Sequence, residues 1–284
     1  MRCGPGCAGS PLSPRNRACC RGRSKEWILK TILGVALLAA SLLALVLAGF
    51  YFGQRRLVYF PDMTRGDADV ASNFDILRPD GVHLRGWEDR PGKPRALLYF
   101  GGNAETLQSA RAQLAGCCAG WTRYVVPYRG YGGSDGEPAR DAMLADALAL
   151  YDEVAKRHPG QPVAVVGRSL GSGVAAWVAS QRPVAKLVLV TPFDSLGKVA
   201  KVHYPWLPVG LLLRERYDSA DWLRGRREPT LVLRASEDRV VPAANTDELL
   251  AALPPTTQVV AIEGSHDSLS TSPAYGQALA AFLR

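Results

Sequence analysis

Residues Pro162 to Ser180 read PVAVVGRSLGSGVAAWVAS. The run begins as a short buried strand (Val163 to Val166), turns through Gly-Arg-Ser-Leu-Gly, and continues as a small-residue helix. This is the layout of a nucleophile elbow, in which a serine on a sharp strand-to-helix turn projects its hydroxyl outward. Gly167 and Gly171 suit positions where neighbouring chains approach too closely for a Cβ. Because the helix begins at Ser169, its first N–H groups face any oxyanion formed there. In a chain with 28 glycines the pentapeptide occurs twice. Gly132-Gly133-Ser134-Asp135-Gly136 also fits it, but lies inside the loop YRGYGGSDGEP, where Pro138 blocks an immediate helix. Ser134 reads as a turn serine. Ser169 is the nucleophile candidate.

A serine nucleophile needs a base, and the chain has four histidines. His83 sits far upstream in an alternating stretch. His158 ends a helix ahead of Pro159-Gly160, where an imidazolium suits the helix dipole. His203 lies in a Pro- and aromatic-rich insertion. His266 follows an apolar strand (Gln258 to Ile262), in a loop at a strand's C-terminal end, where α/β sheets place reactive groups. The matching acid is expected between serine and histidine along the chain. Asp238 follows the buried-strand pattern Pro229 to Ala235 and is the choice, accepting the Nδ1–H of His266. Asp194, one strand earlier, and the adjacent Glu237 are its rivals. A plain surface pair with Arg239 is the bland alternative. After the apolar strand Ala96 to Phe100 comes Gly101-Gly102-Asn103-Ala104-Glu105. There the backbone N–H of Asn103 is expected to join that of Leu170 as an oxyanion hole, each donor being worth about 3–4 kcal/mol of transition-state stabilisation. A simple turn into a helix from Ala104 is compatible with the same glycines.

In that order, GGNAE, YRGYGGSDGEP, GRSLGSG, TPFDSL, SEDRVVP and GSHD resemble the α/β-hydrolase superfamily, in particular members with a hydrophobic helix ahead of the hydrolase domain. The likeness covers Leu57 to Arg284. Many such proteins have His-Gly-Asn where this chain has Gly101-Gly102-Asn103. Beyond the apolar run near the N-terminus, apolar strands alternate with helical segments, which calls for a mostly parallel sheet covered by helices on both faces. The resemblance implies hydrolysis of esters, thioesters or sometimes amides; no cofactor or metal is expected.

Thr31 to Phe52 carries no charged residue and exceeds the roughly 20 residues a membrane span needs. Trp27 and Phe50-Tyr51-Phe52 flank it as an aromatic belt. Ahead of it stand Arg2, Arg15, Arg17, Arg21, Arg23, Lys25 and Lys30 against Glu26, which is most of the chain's formal net charge of +8. The basic balance therefore reads as a topogenic tail, and no nucleic-acid partner is expected. The positive excess predicts a cytoplasmic N-terminus and an extracytoplasmic domain, with Arg55 and Arg56 as the opposing feature. A cleaved signal peptide is disfavoured by the length of the run and by the lack of a convincing cleavage site. The expected division is a basic, disordered tail (1–26), a transmembrane anchor (27–52) and a hydrolase domain (57–284).

Six cysteines are present. Cys3, Cys7, Cys19 and Cys20 fall in the tail, where S-acylation of Cys19 and Cys20 or a metal site are the special roles. Cys117 and Cys118 are adjacent, a spacing unfavourable to a disulfide. The segment 193–228 is a short cap-like insertion. Its Trp206, Leu211 and Leu212 either roof an acyl pocket or seal the domain's edge. Two function classes stand. One is a membrane-anchored serine hydrolase acting on lipid-like or small acyl esters, with thioesterase and peptidase variants on the same triad. The other is a non-catalytic membrane-tethered scaffold, which an intact triad disfavours.

Overall fold

The computed structural model describes residues 14–284, with side chains from residue 26 onward. Cys3 and Cys7, and the side chains of Cys19 and Cys20, lie outside the described residues. The chain divides into two compact units, residues 1–52 and 53–284.

The first unit is carried by helix α1 (Pro14–Val58), which ends in the second unit. The helix begins at Pro14, inside the stretch expected to be disordered. Proline suits a first helical turn, and the Arg, Lys and Glu that follow are good helix formers. Trp27, Leu29, Ile32, Leu33, Val35, Leu38 and Leu42 are all exposed. The helix is long and apolar enough to cross a membrane.

The second unit opens with a 3-10 turn, Pro61–Asp67. There follow β1 (Phe74–Leu77), β2 (His83–Asp89), β3 (Arg95–Phe100), α2 (Leu107–Cys117), β4 (Trp121–Val125) and α3 (Arg140–Arg157). The elbow unit is β5 (Val163–Arg168) and α4 (Leu170–Gln181), followed by β6 (Lys186–Val190). Three short helices fill the 193–228 segment: α5 (Leu196–His203), α6 (Val209–Leu212) and α7 (Ser219–Leu223). The chain finishes with β7 (Thr230–Ala235), α8 (Ala243–Ala252), β8 (Gln258–Ile262) and α9 (Pro273–Leu283).

The strands form one sheet in the order β1-β2-β4-β3-β5-β6-β7-β8. The leading hairpin pairs antiparallel and joins β4 antiparallel, whereas β4 through β8 are parallel. Parallel strands require helical crossovers, so both faces of the sheet are covered and the central strands are mostly apolar. One core lies between the sheet and α3, α4 and the cap-like segment, with Leu98, Phe100, Val165, Val174, Leu189 and Tyr217. The other lies beneath α2 and α9, with Leu97, Tyr99, Val166, Val188, Leu233 and Leu279. The chemistry-bearing loops leave the C-terminal ends of β3, β5, β7 and β8. That is where a parallel sheet concentrates its functional groups.

A buried charge cluster ties the leading hairpin to α3. Asp146 accepts from Arg129 Nε and Nη2 at 2.6 and 2.8 Å and from Arg78 Nε at 2.8 Å. Removing one member strands the others' charge in a low-dielectric site. Asp146→Ala is therefore expected to cost about 3–5 kcal/mol in chemical denaturation. Asp152→Ala, which breaks an exposed pair with Arg182, is expected to cost no more than about 1 kcal/mol.

Candidate active site

Ser169 occupies the turn between β5 and α4 with φ 50° and ψ −116°. A non-glycine residue there stores strain of order 1–3 kcal/mol, and the surroundings hold it in place. Its N–H donates to Val190 O at 2.9 Å, and its carbonyl accepts from the Ser172 N–H and hydroxyl at 2.8 and 2.6 Å. Gly167 and Gly171 make the turn sterically feasible. A Cβ on Gly167 would overlap Gly171 O, and one on Gly171 would overlap Phe100 O.

His266 reaches Ser169 from the loop after β8, with Nε2 2.9 Å from Ser169 Oγ. Its Nδ1 lies 2.8 Å from Asp238 Oδ2. An ionised carboxylate is acceptor-only, so Nδ1 carries the proton and Nε2 is free to accept from the serine. Asp238 is itself fixed by the N–H groups of Val240 and Val241, which donate to Oδ1 at 2.9 and 2.7 Å. The structure thus brings Ser169, His266 and Asp238 into one hydrogen-bonded chain.

The rivals are occupied elsewhere. Asp194 is buried, accepts from Asn245 Nδ2 at 2.8 Å and pairs with Lys198 at 2.9 Å, which ties the end of β6 to α8 and α5. Glu237 is exposed. The Ser134 hydroxyl donates to Pro127 O and accepts from Arg85 N, both at 3.0 Å, holding a turn against β2. His83 pairs with Asp75, His158 with the Tyr124 hydroxyl, and His203 with Val240 O. None of the three approaches Ser169 through a hydrogen bond.

The loop after β3 passes directly beside the serine, since a Cβ on Gly102 would stand 3.7 Å from Ser169 Cβ. Leu170 opens α4 on the other side. The two backbone N–H groups named from sequence, those of Asn103 and Leu170, therefore belong to segments that meet at Ser169. Tyr128 donates to Gly101 O at 2.8 Å, and Gly102 N donates to Glu105 Oε2 at 2.7 Å. The Asn103 side chain donates to Val58 O at 2.5 Å and accepts from the Tyr131 hydroxyl at 2.7 Å and Phe60 N at 3.2 Å. Helix α2 starts at Leu107, three residues beyond the expected Ala104. Asp67, from the 3-10 turn, accepts its first N–H at 2.7 Å and sets that start.

Trp206 and Leu211 are 68% and 83% exposed, and Leu212 is half-buried. Cys117 and Cys118 are free thiols at the end of α2, remote from the serine in sequence and in hydrogen bonding. Among the described residues no group of three or more His, Cys, Asp or Glu converges as a metal site. Sequence reading passed over two charged groups of this site, Glu105 and Arg168, although both lie inside motifs that it singled out.

A family model described as serine aminopeptidase, S33, matches residues 100–212. The uncharacterized Mycobacterium tuberculosis protein Rv2307c is 37% identical over 247 residues, covering 81% of this chain and 87% of that protein. The chain belongs to the α/β-hydrolase superfamily. Among other α/β-hydrolases, the lysophosphatidylserine lipase ABHD12 of Danio rerio is 25% identical over 289 residues, covering 84% of this chain and 75% of its own. The solved Pyrococcus furiosus esterase Pf2001 superposes with a TM-score of 0.62 at 17% identity, over 78% of this chain and 94% of the esterase. It shares the α/β-hydrolase fold.

Proposed function

We propose that this α/β-hydrolase is a membrane-anchored serine hydrolase that cleaves lipid-like or small acyl esters through an acyl-enzyme. The observation that carries the reading is the unbroken hydrogen-bonded chain from Ser169 Oγ through His266 to Asp238. Ser169 Oγ adds to the ester carbonyl as His266 Nε2 takes its proton. The oxyanion accepts from the N–H groups of Asn103 and Leu170. The tetrahedral species collapses, the alkoxide leaves with the proton held on Nε2, and Ser169 keeps the acyl group. Water then enters, gives a proton to Nε2 and attacks the acyl carbonyl. The carboxylic acid departs and the proton returns to Oγ. Asp238 stays ionised throughout and stabilises the imidazolium.

Relatives whose names denote a lipase and an esterase support ester substrates. The description serine aminopeptidase, S33, supports amide cleavage on the same triad as the second reading. The apolar helix supports an anchor over residues 27–52. The basic flank ahead of it supports a cytoplasmic N-terminus with the 57–284 domain outside. Leu212, Trp206 and Leu211 roof the acyl site in this reading.

The test is turnover by the detergent-solubilised full chain of matched acyl esters, thioesters and aminoacyl amides, beside alkaline-carbonate extraction of membranes. Ester cleavage and resistance to carbonate are the expected results. Faster turnover of the amide would transfer the assignment to a peptidase, and extraction by carbonate would remove the anchor.

A further inference from the structure

Glu105, in the loop after β3, and Arg168, the last residue of β5, are nearly buried, with side chains 6% and 10% exposed. Arg168 Nη1 donates to Glu105 Oε1 at 2.8 Å. The other carboxylate oxygen, Oε2, accepts the Gly102 N–H at 2.7 Å, and the Tyr99 hydroxyl lies 2.9 and 3.0 Å from the two oxygens. From the far side of the guanidinium, Nη2 donates to the carbonyls of Asp267 and His266 at 3.3 and 3.4 Å. One ion pair therefore touches the loop after β3, the residue before Ser169 and the backbone of His266. Burial opposes the charge on Arg168 most strongly, but the Glu105 carboxylate together with Tyr99 and Tyr275 holds the guanidinium above its usual range.

The segment Gly101-Gly102-Asn103-Ala104-Glu105 contains no imidazole. A Cβ on Gly101 would strike Leu107 Cδ2 at 2.6 Å, so no larger side chain fits there without a shift. The Glu105 carboxylate lies beside both glycines of this loop.

We propose that the Glu105–Arg168 pair is a positioning brace, which holds the Asn103 donor loop and the His266 loop in register about Ser169. The brace rests on the reading of Ser169 and His266 as the reacting pair. Neither Glu105 nor Arg168 touches substrate. Their effect passes through Gly102 and the His266 backbone. Geometry errors of about 1 Å in such sites cost on the order of 100-fold in rate. The planar guanidinium can serve a carboxylate on one edge and carbonyls on another, whereas a lysine ammonium is a single point of charge.

The experiment compares full-length wild type with Glu105→Gln, Arg168→Lys, Arg168→Met and the Glu105→Gln/Arg168→Met double variant. It reads ester kcat and KM, melting temperature, and amide hydrogen exchange in residues 101–106 and 263–268. The brace predicts a 10- to 100-fold fall in kcat with KM within about twofold for each single variant. The double variant should be no worse than the poorer single, since one coupled unit is lost only once. Arg168→Lys should keep the melting temperature while losing kcat. Both loops should exchange faster together, whichever partner is replaced. The brace is overturned if kcat holds while only the melting temperature falls, if the single losses multiply, or if each variant loosens its own loop alone. Exchange reads the brace even in a protein that cleaves no ester, so a silent wild type would count against the hydrolase reading and leave the exchange result decisive for the brace.

Discussion

Replacing Ser169 by alanine is expected to abolish p-nitrophenyl butyrate turnover, a loss of about 10⁶-fold in kcat, and to remove fluorophosphonate labelling. The hydroxyl is the atom that bonds to the acyl carbon, and nothing else within reach of His266 replaces it. Asp238→Asn should cost about 10⁴-fold, some 5 kcal/mol of barrier, because an amide can no longer hold the tautomer that leaves Nε2 free. The paired controls separate this assignment from its rivals. Ser134→Ala loses two hydrogen bonds in a turn and should keep most activity at a stability cost of about 1 kcal/mol or more. Asp194→Asn alters a contact between β6, α5 and α8 and should leave the rate within a few-fold. A dead Ser134→Ala beside a live Ser169→Ala would reverse the assignment of the nucleophile. A greater loss in Asp194→Asn than in Asp238→Asn would move the acid.

Gly171→Ala is expected to be the most damaging small substitution in the fold. Its new Cβ meets backbone, not a flexible side chain: the Phe100 carbonyl first, then Gly101 O at 2.6 Å. Neither oxygen can yield without shifting β3 or α4, and β3 lies in the middle of the sheet. A destabilisation of about 3 kcal/mol or more is expected, with most of the protein insoluble on expression. Gly276→Ala provides the contrast. Gly276 lies in α9 with nothing within 4 Å of its Cβ direction, so alanine there should stabilise by about 0.5–1 kcal/mol through helix propensity. Chemical denaturation of the two variants measures both. A soluble Gly171→Ala with wild-type stability would mean that strand and helix are farther apart than described.

The features legible in sequence were those written in local pattern. Apolar runs such as Val163 to Val166 and Pro229 to Ala235 announce buried parallel strands, and the loops just beyond such runs carry the serine, acid and histidine. What escaped was set by partners distant along the chain. Glu105 and Arg168 are 63 residues apart, and no periodicity announces that a loop and a strand end will share a charge pair. The start of α2 depends on a carboxylate 40 residues upstream at Asp67. The stretch ahead of Trp27 reads as disordered from its Gly, Pro, Ser and Arg content, yet its described part, from Pro14 onward, is helical.

The grip of Asn103 on Val58 and Phe60 bears on where this protein can be cut. Tyr59, between those two, places its hydroxyl 2.8 Å from Glu215 and 2.9 Å from the Tyr217 hydroxyl. Gln54 donates to Leu212 O and accepts from Arg214 N. The family model matches only from residue 100. Trimming to that match, or even to the first strand at Phe74, discards the peptide groups that Asn103 holds and leaves its half-buried amide without them. Residues that look like a leash in the sequence are, in three dimensions, a keystone wedged between the loop beside the serine and the segment that carries Leu212 to Tyr217.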